Sequence, residues 1–361
     1  MRNSKLFNYK FTSRVVQINR RSLFNRSIDG HSFSSIIDEN GESMSYLDLK
    51  KRSWLMADQL RSQYGHMKTA AIYGKSGSDF VVSLLSLWLI GVAAAPVHPN
   101  YPVPELLHIL ETCKPDIIIK LRDTESIPIP VGSLPPIVEY KLTPLQETNE
   151  QRKISIRTYG NMENALIIFT SGTTGKPKAV IHTFHGLQHM TQSLVDAWQI
   201  SNEDVILHFL PLNHMHGLLN KLLCLLHVGG TVRFLPNASP STIWKYLASP
   251  HDKTNSPKPT LFMAVPTVYA KLLESMDELP ETDRENALRC IRDMRLMTCG
   301  SAPLPTPLLS KWKERTGHVI LERYGMSEFG MALSNPYKDG VRVPGNVCCM
   351  EWHRMMDGSV E

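Results

Sequence analysis

Cysteine is scarce in this sequence, and its placement excludes several kinds of site. Only six of the 361 residues are cysteine, and no CxxC motif occurs. They are Cys113, Cys224, Cys290, Cys299, Cys348 and Cys349. Disulfide frameworks belong to small secreted domains, and clustered metal sites need close ligand spacing. We therefore expect reduced cysteines that serve mostly in packing.

A long uninterrupted apolar run is also missing. The stretch 80–97, FVVSLLSLWLIGVAAAPV, carries no charge over 18 residues, which is about the lower limit for a transmembrane helix. Ser83 and Ser86 interrupt it, and Gly91 and Pro96 divide it. The pattern predicts a buried helix followed by a strand, and no transmembrane segment.

Acidic residues are absent from the first 28 positions, which hold seven basic side chains. Removing these seven from the 39 basic residues leaves 32, against 34 acidic residues, so the charge gives no support to a nucleic-acid partner. Phe7, Phe11, Val15 and Ile18 would share one face of a helix. The segment 1–28 is typical of a mitochondrial presequence, and a disordered basic N-terminus is the alternative. We expect a location in the mitochondrial matrix.

The chain is long enough for two α/β lobes. A strand over 32–42 ends in an Asn40-Gly41 turn, and a helix follows with Ser45 as its cap and Leu47, Trp54, Leu55 and Leu60 at helical spacing. Strands and helices then alternate, which indicates largely parallel, helix-covered sheets. The polar stretch 121–160 predicts a surface connection between the lobes. We predict a presequence over 1–28, a first lobe over 29–160, a second lobe over 161–347 and a divergent tail over 348–361.

The strongest chemical signal is the segment 165–180, ALIIFTSGTTGKPKAV. An apolar strand runs into two glycines flanked by hydroxyls and lysines. Glycine lets backbone amides approach phosphate oxygens closely, and lysine ammonium groups balance their negative charge. A polar hairpin turn would not need so many hydroxyls beside two lysines. The segment predicts a phosphate loop, although its spacing differs from the Walker pattern GxxxxGK[ST].

This loop resembles that of the adenylate-forming superfamily of acyl-CoA synthetases, peptide-synthetase adenylation domains and luciferases. Three further segments follow in the family's order: LPLNHMHG at 210–217, GSAPL at 300–304 and YGMSE at 324–328. The resemblance covers roughly residues 30–347. It implies two helix-flanked α/β sheets that form the large N-terminal domain of such an enzyme.

The resemblance also implies a reaction, in which a substrate carboxylate attacks the α-phosphorus of ATP and a CoA thiol then takes the acyl group. ATP, Mg²⁺ and CoA are the implied cofactor, metal and second substrate. Lys178 and Glu328 are the implied catalytic residues, with Glu328 as the metal ligand. The implied ATP-binding residues are Thr170, Ser171, Gly172, Thr173, Thr174, Gly175, Lys176, Pro177, Lys178, Gly300, Ser301, Ala302, Pro303, Tyr324, Gly325 and Ser327. Ala179 and Ser327 depart mildly from the family's usual glycine and threonine.

The acid that is activated is predicted from the segments around Arg323 and His214. Arg323 precedes the tyrosine implied to stack on adenine, and ERYGM resembles malonate–CoA ligases within the superfamily. A guanidinium there would bind the second carboxylate of malonate by a charge-assisted fork. A structural ion pair with Glu322 or another carboxylate is the alternative, and methylmalonate or a medium-chain fatty acid are the alternative substrates. We expect His214 to gate the acyl pocket and assign no metal to His208, His214 and His216.

The segment after residue 347, CCMEWHRMMDGSVE, has none of the family's later motifs. We expect the third β-barrel subdomain and the C-terminal domain, with its catalytic lysine, to be missing, and little complete activity from this chain. Two hypotheses stay open: a malonate-activating ligase that feeds mitochondrial fatty acid synthesis, and a non-catalytic isoform or fragment that binds nucleotide or an intact subunit. We expect a monomer with small-molecule partners, namely malonate, ATP and CoA.

Overall fold

Two helix-covered sheets make up the part of the protein that the structure describes. The computed structural model describes residues 35–122, 124–130, 134–140, 163–170, 176–235, 238–251 and 256–338. The predicted presequence, the phosphate-loop residues 171–175 and the predicted tail therefore lie outside the described residues. Alternating strands and helices confirm the predicted α/β class.

The strands are short and are numbered here in chain order. They are β1 Ser35–Ile37, β2 Ser43–Ser45, β3 Thr69–Tyr73, β4 Ala93–Val97, β5 Ile117–Lys120, β6 Ile137–Glu139, β7 Asn164–Thr170, β8 Lys178–Thr183, β9 Val205–His208, β10 Thr231–Phe234, β11 Leu261–Ala264, β12 Leu296–Cys299, β13 Leu321–Met326 and β14 Gly330–Ser334. The eight-stranded sheet has the order β14-β13-β12-β11-β9-β10-β1-β2, and the six-stranded sheet has the order β6-β5-β3-β4-β7-β8. Three hairpin pairs, β1–β2, β7–β8 and β13–β14, are antiparallel, and the other pairs are parallel.

Helices connect most of the parallel strands. The α-helices are α1 Tyr46–Tyr64, α2 Ser78–Ile90, α3 Val103–Cys113, α4 Phe184–Trp198, α5 Cys224–Val228, α6 Pro240–Ala248, α7 Pro266–Ser275, α8 Glu281–Asp293 and α9 Thr306–Thr316. A π-helix, His216–Leu223, runs directly into α5, and a 3-10 turn, Met276–Glu278, follows α7. Crossovers of this kind place the strands' carboxyl ends at one edge of each sheet.

Helix α2 is buried on every face. All residues from Ser78 to Leu89 are buried, and Gly91 ends the helix in the left-handed conformation at φ 79°. Strand β4 follows, so the prediction of a buried helix and a strand over 80–97 is confirmed. Within the described ranges, no helix has both the length and the apolar character needed to cross a membrane.

Strand β1 and helix α1 lie within the segments predicted for a strand and a helix, whereas strand β2 was not predicted. The Ser45 hydroxyl accepts a hydrogen bond from Asp48 N at 3.1 Å, as expected of the cap. The buried residues are Tyr46, Leu49, Ser53, Ala57 and Leu60. Leu47 and Leu55, on which the helix prediction partly rested, are 49% and 47% exposed. The helical spacing was therefore right, although large apolar residues occur on both the buried and the exposed side of the helix.

Sheet membership differs from the residue ranges predicted for the two lobes. Strand β1 pairs with β10 in parallel, which places the start of the chain in the eight-stranded sheet. Strands β7 and β8, which follow residue 160, belong to the six-stranded sheet. The predicted surface connection 121–160 also contains a strand, β6, which pairs with β5. These long-range pairings leave no local signal in the sequence.

One hydrophobic cluster joins the two sheets. It contains Ile36 and Leu321 from the eight-stranded sheet, Ala70 and Ile168 from the six-stranded sheet, and most of helix α2. The sheets therefore cannot move apart without exposing buried apolar surface, which costs about 25 cal/mol per Å².

The buried carboxylate of Asp204 links four segments of the eight-stranded side. Asp204 is 2% exposed and accepts hydrogen bonds from Arg295 Nε at 2.7 Å and from Arg295 Nη2 at 2.5 Å. It also accepts from the Ser201 amide and from the Thr260 hydroxyl. Arg295 Nη1 donates to the carbonyl of Trp198 at the end of α4. The pair thus fixes the start of β12 against the end of α4.

We expect Arg295→Leu to lower the free energy of unfolding by about 3 kcal/mol, because it leaves a buried carboxylate without its cation. Urea unfolding followed by circular dichroism measures the change. Arg315→Leu is the matched control, since Arg315 pairs with the exposed Asp277. Equal shifts of the unfolding midpoint in both variants would contradict the role of Asp204.

Candidate active site

The phosphate-loop segment joins two antiparallel strands at one end of the six-stranded sheet. Thr170 at the end of β7 pairs with Lys178 at the start of β8. The residues between them that carry most of the predicted phosphate contacts, Ser171, Gly172, Thr173, Thr174 and Gly175, lie outside the described residues. The carbonyl of Pro177 accepts a hydrogen bond from His108 Nε2 at 2.8 Å. Helix α3 thereby holds the second half of the loop.

An open cavity of about 500 Å³ lies between this hairpin and the end of the eight-stranded sheet. It brings together many of the residues singled out from the sequence. These are Thr170, Lys178, His214, Ser301, Arg323, Gly325, Ser327 and Glu328. Leu210, Met215, Val265 and Met331 add apolar surface. Lys176, Pro177, Gly300, Ala302, Pro303 and Tyr324 do not line it.

The GSAPL loop and Tyr324 lie at the ends of adjacent parallel strands. Cys299 on β12 pairs with Glu322 on β13, so the loop that begins at Gly300 runs beside Arg323 and Tyr324. Tyr324 is 46% exposed, and its ring contacts Phe329 at a centroid distance of 6.3 Å. An exposed ring beside a backbone loop is open to a flat aromatic ligand, because such rings stack with it.

Arg323 is buried at the edge of the cavity. Its side chain is 4% exposed, and burial lowers its pKa to about 10. Nη2 donates to the Ser301 hydroxyl at 3.4 Å, and Nε has no hydrogen-bond partner among the residues that the structure describes. Among the described residues no carboxylate forms an ion pair with Arg323, and Glu322 lies next to it on β13, where successive side chains point to opposite faces. The alternative of a structural ion pair with Glu322 therefore has no support.

Gly300 makes room for the guanidinium. A Cβ added at Gly300 would lie 2.6 Å from both Cζ and Nε of Arg323. The next residue, Ser301, has a left-handed backbone at φ 67°, which is uncommon for a residue other than glycine. Gly300, which the family resemblance assigns to the adenine site, therefore also makes room for the side chain of Arg323.

His216 is a residue whose position the sequence did not predict. It is buried, and its Nδ1 lies 3.2 Å from the Ser301 hydroxyl. Burial, and then the positive charge of Arg323, hold its pKa well below the usual value. Neutral His216 can thus accept from Ser301, whose oxygen accepts from Arg323. His214 lines the cavity and is exposed there, whereas His208 donates to the carbonyl of Gly217 at 2.9 Å.

Lys221 was also missed, because it stands within an apolar run that predicts only a core helix. It is fully buried in the π-helix and donates from Nζ to the carbonyls of Leu207 at 2.8 Å and Met263 at 3.0 Å. Strands β9 and β11, which carry these carbonyls, pair at Ile206 and Leu261 alone. Lys221 bridges the strands where their ladder is interrupted, and its ammonium lies 4.0 Å from the ring centroid of Phe209.

Glu328 lies in the turn between β13 and β14 and is exposed at the cavity. A single carboxylate fits Mg²⁺, which usually takes one or two carboxylates together with substrate phosphates. Within the described ranges, no group of three or more His, Cys, Asp and Glu residues is placed to hold a metal. Any metal here would therefore depend on phosphate oxygens for further ligands.

Comparison with known proteins shows to which family this chain belongs. The family model for AMP-binding enzymes matches residues 25–352. The chain belongs to the AMP-binding enzyme family. It is 34% identical to the mitochondrial malonate–CoA ligase of Homo sapiens, over 93% of this chain and 60% of that protein. It is 35% identical to the malonate–CoA ligase of Arabidopsis thaliana, over 79% of this chain and 49% of that protein.

Solved structures of the family share the fold. Apo MatB from Rhodopseudomonas palustris matches with a TM-score of 0.72 at 28% identity, over 90% of this chain and 64% of that chain. A malonyl-CoA ligase product complex with methylmalonyl-CoA and AMP bound matches with a TM-score of 0.71 at 27% identity. This chain spans about half to three fifths of the length of the two curated relatives.

We expect the stability of the protein to depend on pH through His208. Burial lowers the pKa of His208 to about 3, against about 6.5 in an unfolded chain. Between these values the unfolded chain binds a proton that the folded protein does not. The stabilisation is therefore complete above pH about 6.5, and about 1.4 kcal/mol is lost for each unit that the pH falls below it.

His208→Gln, which can still donate to Gly217, should reduce this slope by about one proton per molecule between pH 6 and pH 4. Urea unfolding at a series of pH values measures it. His66→Gln is the control, because His66 is exposed. The interpretation fails if both variants keep the slope of the original protein.

Proposed function

We propose that this chain forms the nucleotide- and acyl-binding part of an ATP-dependent acid–thiol ligase that activates malonate. The observation that carries the proposal is the buried guanidinium of Arg323. It lies at the same cavity as Lys178 and Glu328 and has no carboxylate partner among the described residues. Burying a cation without a counter-ion costs free energy, and a bound anion can offset this cost.

Two anions must meet in such a site. One carboxylate of malonate attacks the α-phosphorus of ATP, a bond forms between the carboxylate oxygen and phosphorus, and pyrophosphate leaves. The CoA thiol then attacks the acyl carbon, and AMP leaves. Both steps require anions to be held together, so positioned cations supply much of the catalysis. Lys178 and Arg323 both line the cavity, and Lys178 would balance the charge of the phosphates.

We assign the remaining roles from the family resemblance, and several of these residues also line the cavity. Thr170 and the loop up to Lys178, including Lys176 and Pro177, would hold the β- and γ-phosphates, with Ser327 as a further contact. Mg²⁺, when bound, would screen the phosphates, and Glu328 would be its protein ligand. Tyr324 would stack on adenine, with the backbone of 300–303 and Gly325 nearby. His214 would border the acyl group at the cavity mouth.

The choice of a dicarboxylate over a fatty acid follows from charge. The carboxylate that reacts lies near the phosphates, so the second carboxylate of malonate would lie towards Arg323, with Ser301 and neutral His216 as supporting groups. A fatty acid would instead place an apolar chain against a desolvated guanidinium, which is unfavourable. Methylmalonate is the second candidate, because a related ligase was crystallised with methylmalonyl-CoA.

A mitochondrial matrix location is part of the proposal. It is supported by the basic, acid-poor segment 1–28 and by the mitochondrial ligase that the chain resembles. Malonyl-CoA made there would supply fatty acid synthesis in the same compartment.

We expect Arg323→Met to weaken malonate binding by about 10- to 100-fold, because the second carboxylate loses a charge-assisted hydrogen bond in a desolvated site. ATP binding should change by less than about twofold. Calorimetric titration of the protein with malonate in the presence of ATP, and with ATP alone, measures both.

Gly300→Ala should reproduce the loss of malonate binding, since its Cβ would displace the guanidinium. Arg315→Met, at an exposed guanidinium, is the control. An equal loss for malonate and for butyrate, which has one carboxylate, would remove Arg323 from the substrate site. If no dicarboxylate binds at all, a medium-chain fatty acid becomes the leading candidate.

We expect residues 1–28 fused to a fluorescent reporter to direct it into mitochondria. A basic, acid-poor segment with apolar residues at helical spacing is typical of mitochondrial presequences. Replacing Arg14, Arg20 and Arg21 by glutamine should abolish import, and fluorescence microscopy shows the outcome. A diffuse cytosolic signal from the original segment would count against the location.

A further inference from the structure

Two histidines lie side by side at the start of helix α4, outside the candidate active site. His185 and His189 are one helical turn apart, and their rings are separated by 4.2 Å between centroids. Their Nε2 atoms are 3.0 Å apart. His189 is exposed and His185 is half-buried, so the two nitrogens are open to small solutes. The function proposed above uses neither residue.

The distance between the nitrogens matches that of two ligands on one metal ion. At metal–nitrogen bonds of about 2.0–2.1 Å, neighbouring ligands at right angles lie about 2.9 Å apart, and tetrahedral ligands lie about 3.3 Å apart. The observed 3.0 Å is closer to the right-angle value. We propose that His185 and His189 form a two-histidine chelate for a divalent transition-metal ion, with Ni²⁺ and Cu²⁺ preferred over Zn²⁺.

The helix presents the pair in a fixed position. Thr183 caps α4 by accepting a hydrogen bond from Gly186 N at 3.1 Å. Phe184 packs edge-on against Trp88 at 5.8 Å between ring centroids, and Leu187 and Thr191 are buried. Residues at i and i+4 share one helix face. A metal therefore meets two ligands that are already oriented, which reduces the entropy lost on binding.

The protonation balance also permits binding. Burial and the neighbouring His185 lower the pKa of His189, so it is neutral at pH 7.5. In the metal-free pair one Nε2 donates its hydrogen to the other. On binding, that hydrogen moves through solvent to Nδ1 of the same ring, and each Nε2 gives its lone pair to the metal. Two metal–nitrogen bonds form, and each ring keeps its hydrogen on Nδ1.

The chelate is expected to be weak and separate from the nucleotide site. Across the described residues no third His, Cys, Asp or Glu completes it, so water would fill the other positions. The positive end of the α4 dipole also opposes a cation. Neither histidine lines the cavity that contains Lys178 and Glu328. A metal here would not serve as the Mg²⁺ of ATP.

The test is a calorimetric titration of the full chain with Ni²⁺, without nucleotide and after alkylation of accessible thiols. Alkylation is needed because Cys348 and Cys349 provide other potential ligands. We expect one binding event whose half-saturation concentration rises at least about tenfold in His185→Ala and in His189→Ala. His66→Ala, at another exposed histidine, should titrate like the original protein.

Two further measurements separate chelation from a structural effect. Ni²⁺ should raise the unfolding temperature of the original protein and not that of His189→Gln, which keeps a polar side chain at an exposed position. The electron paramagnetic resonance spectrum of bound Cu²⁺ should show coupling to two imidazole nitrogens. Unchanged Ni²⁺ titration in all the histidine variants would overturn the chelate, leaving only a hydrogen bond between the rings. Tighter binding of Zn²⁺ than of Ni²⁺ would overturn the right-angle geometry.

Discussion

The packing of helix α2 between the two sheets is the constraint on which the site depends. Its side chains are buried on every face, and they belong to the same hydrophobic cluster as Ile36 and Leu321 on one sheet and Ile168 on the other. Because this shared core fixes one sheet against the other, Lys178 and Arg323 face a single cavity although they come from different sheets. A loss of packing in α2 would therefore affect the site without touching any of its residues.

The cavity holds a buried positive charge, Arg323, that no carboxylate among the described residues neutralises. Arg323 donates to one hydroxyl, and its burial opposes the charged form. Burying such a cation costs free energy, because only a well-placed counter-ion offsets its removal from water. Neutral His216 next to Arg323 adds no compensating negative charge. The buried charge therefore lowers the stability of the ligand-free protein and favours the binding of anions. This suits a reaction between a carboxylate and a nucleotide.

Prediction from the sequence was most successful for features that a single short segment encodes by itself. The helix over 80–97 could be recognised because its apolar run exceeds what a surface helix tolerates, and Ser45 could be recognised as a cap from its own position. The buried face of α1 could not be recognised from the sequence, because Leu47 and Leu55 are apolar and yet are exposed to solvent. The pairing of β6 with β5 and of β1 with β10 was missed, since neither partner is close in sequence.

The sequence by itself determined the α/β class, the motifs and the kinds of side chain available for phosphate, magnesium and a carboxylate. These follow from local patterns, which short-range sterics and periodicity decide. Only the tertiary structure decided that Arg323 has no carboxylate partner among the described residues, that Gly300 makes room for it, and that His216 and Lys221 are buried. Burial and partnership depend on residues far apart in the chain, and free energies of desolvation exist only once those residues have packed.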